Sequence, residues 1–225
     1  MVTRLRFGFC LTCLFTLWTC GQGDLQKGRL CLRQGDADRA VVFLEKAVLD
    51  APDDLEARRL LAEALRQQLS NMDNRHDDLP GHWRRVVQEY RVVFSQAGDS
   101  LGGVQLQSSW RAWCEALEFR GDSTLALSQY QELLRWFPQN LDADNAAALL
   151  AFRMNHWDEA QAFWKQAMAL DTTSIVAPFN YGMAFWLRGN PQEALRQWLV
   201  AFERNPLDTN VVGWLVEARK SLGQP

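Results

Sequence analysis

The chain has 225 residues, 48% of them hydrophobic, and a formal net charge of −3. This is the balance of an ordinary globular or repeat protein, and it excludes the basic surplus needed to grip a phosphate backbone, so no nucleic-acid partner is expected. Ten Trp is a high count, and side chains that large must fill a core or line a binding surface.

The N-terminus reads as an address. Arg4 and Arg6 precede an uncharged apolar run from Phe7 to Trp18, and polar Gly21-Gln22-Gly23-Asp24 follows. That is the layout of a secretory signal, predicted over 1–20. The run falls short of the ~20 residues of a transmembrane helix. Its end, Leu17-Trp18-Thr19-Cys20-Gly21, resembles a bacterial lipobox in Leu17 and Cys20, while Trp18 and Thr19 are larger than the residues usual there. The resemblance implies that Cys20 becomes a lipidated N-terminus and anchors an exported chain to the inner or outer membrane, facing the periplasm. Cleavage after Gly21 without a lipid stays open. So does a cytoplasmic chain whose first twenty residues are no signal.

Beyond the signal the chain repeats itself. QGDADRAVVFLEKAVLDAP at 34–52 returns as RGDSTLALSQYQELLRWFP at 120–138 and RGNPQEALRQWLVAFERNP at 188–206. In each, Gly and Pro stand seventeen residues apart and Ala follows the Gly by five. MNHWDEAQAFWKQAMALDT at 154–172 keeps the Ala but has neither Gly nor Pro. Gly35, Gly121 and Gly189 are predicted to close a first helix with a left-handed residue. Asp36, Asp122 and Asn190 are predicted to cap a second one.

A 34-residue ruler divides the chain into 21–54, an enlarged unit 55–106, then 107–140, 141–174, 175–208 and a last half-unit 209–222. The pattern resembles the tetratricopeptide repeat. Tyr181, Gly182, Phe185, Ala194, Trp198, Ala201 and Pro206 carry it in one unit; Trp110, Trp113, Cys114, Leu117, Ala126, Tyr130, Leu133 and Pro138 carry it in another. The third regular unit supplies Ala148, Ala160, Trp164 and Ala167. The first unit supplies Gly28, Cys31, Ala40, Leu44, Ala47 and Pro52, with polar Asp24 and Lys27 at two apolar positions. Pro178 departs from a large residue but fits a first helical turn. The resemblance implies an all-α, right-handed superhelical solenoid of antiparallel helix pairs, about five repeats plus a C-terminal capping helix.

In the enlarged unit, LEARRLLAEALRQQL and HWRRVVQEYRVVFSQ read as amphipathic helices, with loops expected at 70–81 and 97–107. Cys31 and Cys114 fall on apolar faces, where a buried small hydrophobe is the expectation. No zinc-ligand spacing, catalytic triad, HExxH, phosphate loop or dinucleotide fingerprint occurs, so no metal, cofactor or enzymatic activity is expected. His76, Asp77 and Asp78 share the polar loop and would be the residues of a hydrolase or transferase reading.

The resemblance implies that a protein or peptide segment binds along the first helices of the pairs. Near the C-terminus the groove positions hold Leu149, Phe152, Arg153, Phe179, Asn180, Met183 and Trp186, with Trp214 in the last helix. Two readings of this apolar, aromatic set are open: an apolar partner segment docks on it, or some of its members pack against the next helix as core. In the first two units the same positions give Arg29, Arg33, Arg59 and Arg66 beside Glu56 and Glu63. Pairing within that wall and pairing with an acidic peptide are both open. The carboxylate clamp of chaperone-adaptor repeats finds only Asn180 in place, so its specificity is not implied. Gln197 is expected on the convex side. The function implied is a non-catalytic interaction scaffold in envelope assembly or secretion, or, without export, a cytoplasmic adaptor.

Overall fold

The computed structural model describes residues 23–70, 72, 78–97 and 100–224. The signal, Cys20 and His76 lie outside the described residues. Eleven helices occur among those described: α1 (23–33), α2 (Ala37–Asp50), α3 (Leu55–Ser70), α4 (Leu79–Ala97), α5 (Ser100–Phe119), α6 (Ser123–Trp136), α7 (Leu141–Arg153), α8 (Trp157–Leu170), α9 (Val176–Leu187), α10 (Pro191–Arg204) and α11 (Thr209–Ser221). None is long and apolar enough to cross a membrane. The chain divides into two units, Met1–Ala116 and Leu117–Pro225.

The turns follow from single residues. Gly35, Gly121 and Gly189 have φ of 77°, 83° and 73°. The residue after each donates its N–H five residues back: Asp36 to Cys31 O (3.0 Å), Asp122 to Leu117 O (2.9 Å) and Asn190 to Phe185 O (3.0 Å). This satisfies carbonyls that a helix end leaves open. The copy without a Gly keeps the same turn, because Asn155 takes φ 62° and His156 N–H donates to Ala151 O at 2.8 Å. Asn is the side chain that best tolerates this backbone. Asp36, Asp122 and Asn190 accept from Arg39, Leu125 and Glu193 N–H at 3.1, 3.3 and 3.2 Å. His156 makes no such bond.

In the first unit, α3 packs on α2 and α4, around Ala40, Leu44, Ala62, Val86, Val87 and Tyr90. Helix α1 forms despite its polar positions. Leu25, Gly28 and Cys31 turn inward, while Lys27 pairs with Asp24 at 3.0 Å and lies over the Phe43 ring. In the second unit α7 and α8 form one antiparallel pair, α9 and α10 the next, and α11 closes on α10. A Cβ on Gly182 would stand 2.4 Å from Trp198 Nε1, so only Gly lets α9 approach α10 this closely. Pro178 is buried in the first turn of α9.

Three sequence expectations are corrected. Residues 79–81, expected in the loop 70–81, are helical, because α4 starts at Leu79. Residues 100–107, expected in a loop, are helical: α5 starts at Ser100. Gly102 and Gly103 signalled a loop through low propensity, but both are buried, and the open side of Gly102 faces Val93 of α4 at 3.8 Å. Packing outweighs propensity there. Gln197 is buried on the inner face of α10 beside Ala194 and Trp198, not exposed on a convex side. Cys31 and Cys114 are both buried, as expected of small apolar side chains.

Candidate functional site

Two faces carry the candidate residues, one in each unit, and their chemistry differs. In the first unit, α1 and α3 present parallel rows of charge. Arg29, Leu32 and Arg33 from α1, with Glu56, Arg59, Leu60, Glu63 and Gln67 from α3, line a cavity of about 510 Å³. Arg29 donates to Glu56 Oε1 at 2.5 Å, and Arg59 stands 3.5 Å from Glu63. Arg33 is exposed.

A second cavity of about 160 Å³ continues from the first, sharing Arg59 and Glu63 and adding Arg66, Tyr90, Gly102 and Gln105. Burial pushes the Tyr90 phenol above its ordinary value, and the Arg66 guanidinium donating to its oxygen pulls it back. Gln105 Oε1 is buried without a hydrogen-bond donor. The four Arg singled out in the sequence therefore line one trench. Tyr90 and Gln105 were missed as trench residues. Tyr90 read as part of an apolar stripe, and Gln105 fell in a segment expected to be a loop.

In the second unit the predicted aromatic set separates into two clusters. Phe152 meets Trp157 edge-on and leans on Trp164, both at 6.1 Å. Tyr181 stacks on Trp164 at 5.3 Å, and Phe185 meets Trp157 at 5.1 Å. Arg188 caps the Trp157 face at 4.5 Å, a cation–π contact. The other cluster joins Trp186, Trp198 and Trp214 at 5.3–5.9 Å. Trp198 Nε1 donates to Phe179 O at 3.1 Å. Phe179, Met183, Trp186 and Trp214 all pack on the core built around Ala194, Trp198 and Leu215. Asn180 is half-buried and Leu149 exposed. Arg153 pairs with Glu118, which also accepts from the Tyr130 hydroxyl at 3.1 Å. Trp157, the first residue of α8, was missed because the repeat pattern assigns nothing to that position.

The second unit also buries a carboxyl. Asp144 has no exposed surface, and neither oxygen has a hydrogen-bond donor. Burial raises it from 3.8 to about 7. No group of three or more His, Cys, Asp or Glu among the described residues is placed to hold a metal ion.

These helix pairs, with their left-handed turns and Gly- or Ala-mediated contacts, are the fold of tetratricopeptide-repeat proteins. The chain is similar to the crystal structure of MamA protein, with a TM-score of 0.56 and 16% identity over 85% of this chain and 94% of that one. It is similar to a tetratricopeptide repeat protein from Parabacteroides merdae, with a TM-score of 0.54 and 16% identity over 92% of this chain and 75% of that one. It is also similar to YrrB, described as a TPR protein with an unusual peptide-binding site, with a TM-score of 0.53 and 15% identity over 88% and 90%. At these identities the likeness is one of fold. No family model and no curated protein matches the chain.

Proposed function

We propose that the protein is a non-catalytic interaction scaffold that holds a segment of another protein along the first helices of its repeats. The observation that carries this reading is the open trench of about 510 Å³ between α1 and α3. Concave sites with convergent polar groups are where ligands bind. The description of YrrB as having a peptide-binding site is in keeping with it. In the second unit, taken by itself, Leu149 and Asn180 are the residues of the predicted set that no neighbouring ring engages. Phe152, Trp186 and Trp214 are engaged by neighbouring rings.

The N-terminal sequence supports placing this scaffold in the cell envelope, exported and lipid-anchored through Cys20, in the service of assembly or secretion. A mature N-terminus at Cys20 carrying lipid would support that placement. A mature chain that still begins at Met1 would overturn it and leave a cytoplasmic adaptor. The binding role is tested by photo-crosslinking in the cell from position 67, in the trench, and from the exposed position 149, with a control at the exposed Glu203. One discrete protein captured from 67 or 149 but not from 203 supports the scaffold. No capture from either position contradicts it.

A further inference from the structure

Resting on the scaffold reading, we propose that the trench of the first unit takes an acidic peptide in extended conformation. The trench lining holds four guanidiniums, Arg29, Arg33, Arg59 and Arg66, against two carboxylates, Glu56 and Glu63. The surplus is two positive charges, on a chain whose net charge is −3. A concave patch opposite in sign to the rest of its molecule focuses field on its own floor and draws in the complementary ligand.

Arg29 is held by Glu56 at 2.5 Å, but the other internal pair does not close this site. Arg59 and Glu63 stand 3.5 Å apart with both side chains more than two-fifths exposed. Exposed pairs contribute roughly 0–1 kcal/mol, so an incoming carboxylate competes for the guanidinium at little cost. Arg33, at one end, is exposed with nothing to exchange. Arg66, at the other, is exposed and spends its contact on the Tyr90 oxygen, which is neutral at physiological pH.

A peptide fits better than a bare anion. Two apolar side chains, Leu32 and Leu60, stand among the charged groups of the lining. An extended segment laid along the lining places acidic side chains within reach of the Arg of α1 and of α3. Helices pack 8–10 Å apart, so crossing α1, α3 and α5 spans about 18 Å. At ~3.3 Å per residue this takes five or six residues. An anionic membrane is the competing occupant of a basic surface, but a flat lipid surface does not follow the concave lining that holds these Arg.

The test uses the full chain and fluorescein-labelled six-residue peptide pools. One pool is rich in Asp and Glu, one carries Asn and Gln at the same positions, and one carries Lys. The acidic pool is expected to bind about tenfold tighter than the amide pool at low salt, with the preference shrinking as salt screens it. Arg33→Glu/Arg66→Glu is expected to abolish the preference, and Arg33→Ala alone to weaken it severalfold. Circular dichroism should show both variants folded, since both side chains are exposed. Phosphatidylglycerol vesicles should neither bind nor compete. Equal binding of acidic and amide pools overturns the acidic specificity and leaves the scaffold standing. Competition by vesicles overturns it in favour of a membrane surface. Binding of no pool overturns it too, and capture from position 67 or 149 then decides the scaffold separately.

Discussion

Trp186 and Arg33 occupy equivalent faces of their repeats, yet their surroundings have little in common. The Trp186 ring is held between Trp198 and Trp214, on a core of Ala194, Ala201 and Val211. The Arg33 side chain stands in solvent at the rim of a trench. The same repeat geometry thus spends one face on cohesion and leaves the other for a ligand. In a stack of repeats, stability is largely a sum over neighbouring interfaces. Aromatic side chains at such an interface are committed before any partner arrives, and long charged side chains are not.

Removing rings from one region and charges from the other should have unequal effects on stability. Trp198 is fully buried, so Trp198→Ala is expected to cost about 3–5 kcal/mol in denaturant unfolding. Arg33→Ala should stay within about 0.5 kcal/mol of the parent. Comparable losses from the two would end the distinction.

A second contrast concerns protons. Asp144 in the second unit is held neutral by burial up to about pH 7, against 3.8 when unfolded. Between those values the folded chain holds a proton that the unfolded chain has lost. The contribution of Asp144 to stability is therefore full below about pH 4, falls by roughly 1.4 kcal/mol per pH unit until about pH 7, and then levels off. Asp144→Asn should flatten the slope, read from unfolding midpoints across pH. A slope unchanged in that variant would place the titrating group elsewhere.

Smaller effects probe the turns. Gly189→Val forces a β-branched residue to φ 73° and should cost about 1–2 kcal/mol. Asn155→Gly relaxes the one non-Gly turn residue of the set at φ 62° and should change stability by at most about 1 kcal/mol, without loss. A marked loss there would mean that the Asn155 side chain does more than tolerate the turn.

The fold was legible because its signals are local. A Gly five before an Ala, an Asp or Asn cap and a 3.6-residue apolar rhythm each act within one helix pair, and repetition multiplies them. The helical state of 100–107 was not legible, since Gly102 and Gly103 argue against a helix until Val93 is placed beside them. The candidate site was half legible. Spacing put Arg29, Arg33, Arg59 and Arg66 on one kind of face, and the structure gathers them around one trench. Spacing also put Phe152, Trp186 and Trp214 on that face, but it carries no information about which ring a neighbouring repeat has already claimed. Trp157 and Gln105 needed the packing to be seen at all.

The most direct measurement sets melting temperature and acidic-peptide affinity side by side for Trp186→Ala and for Arg33→Glu/Arg66→Glu. Trp186→Ala is expected to lower the melting temperature and leave the affinity within about twofold, while the charge reversal is expected to lose about tenfold in affinity or more and keep its melting temperature. A Trp186→Ala protein that melts like the parent but no longer binds the peptide would contradict this.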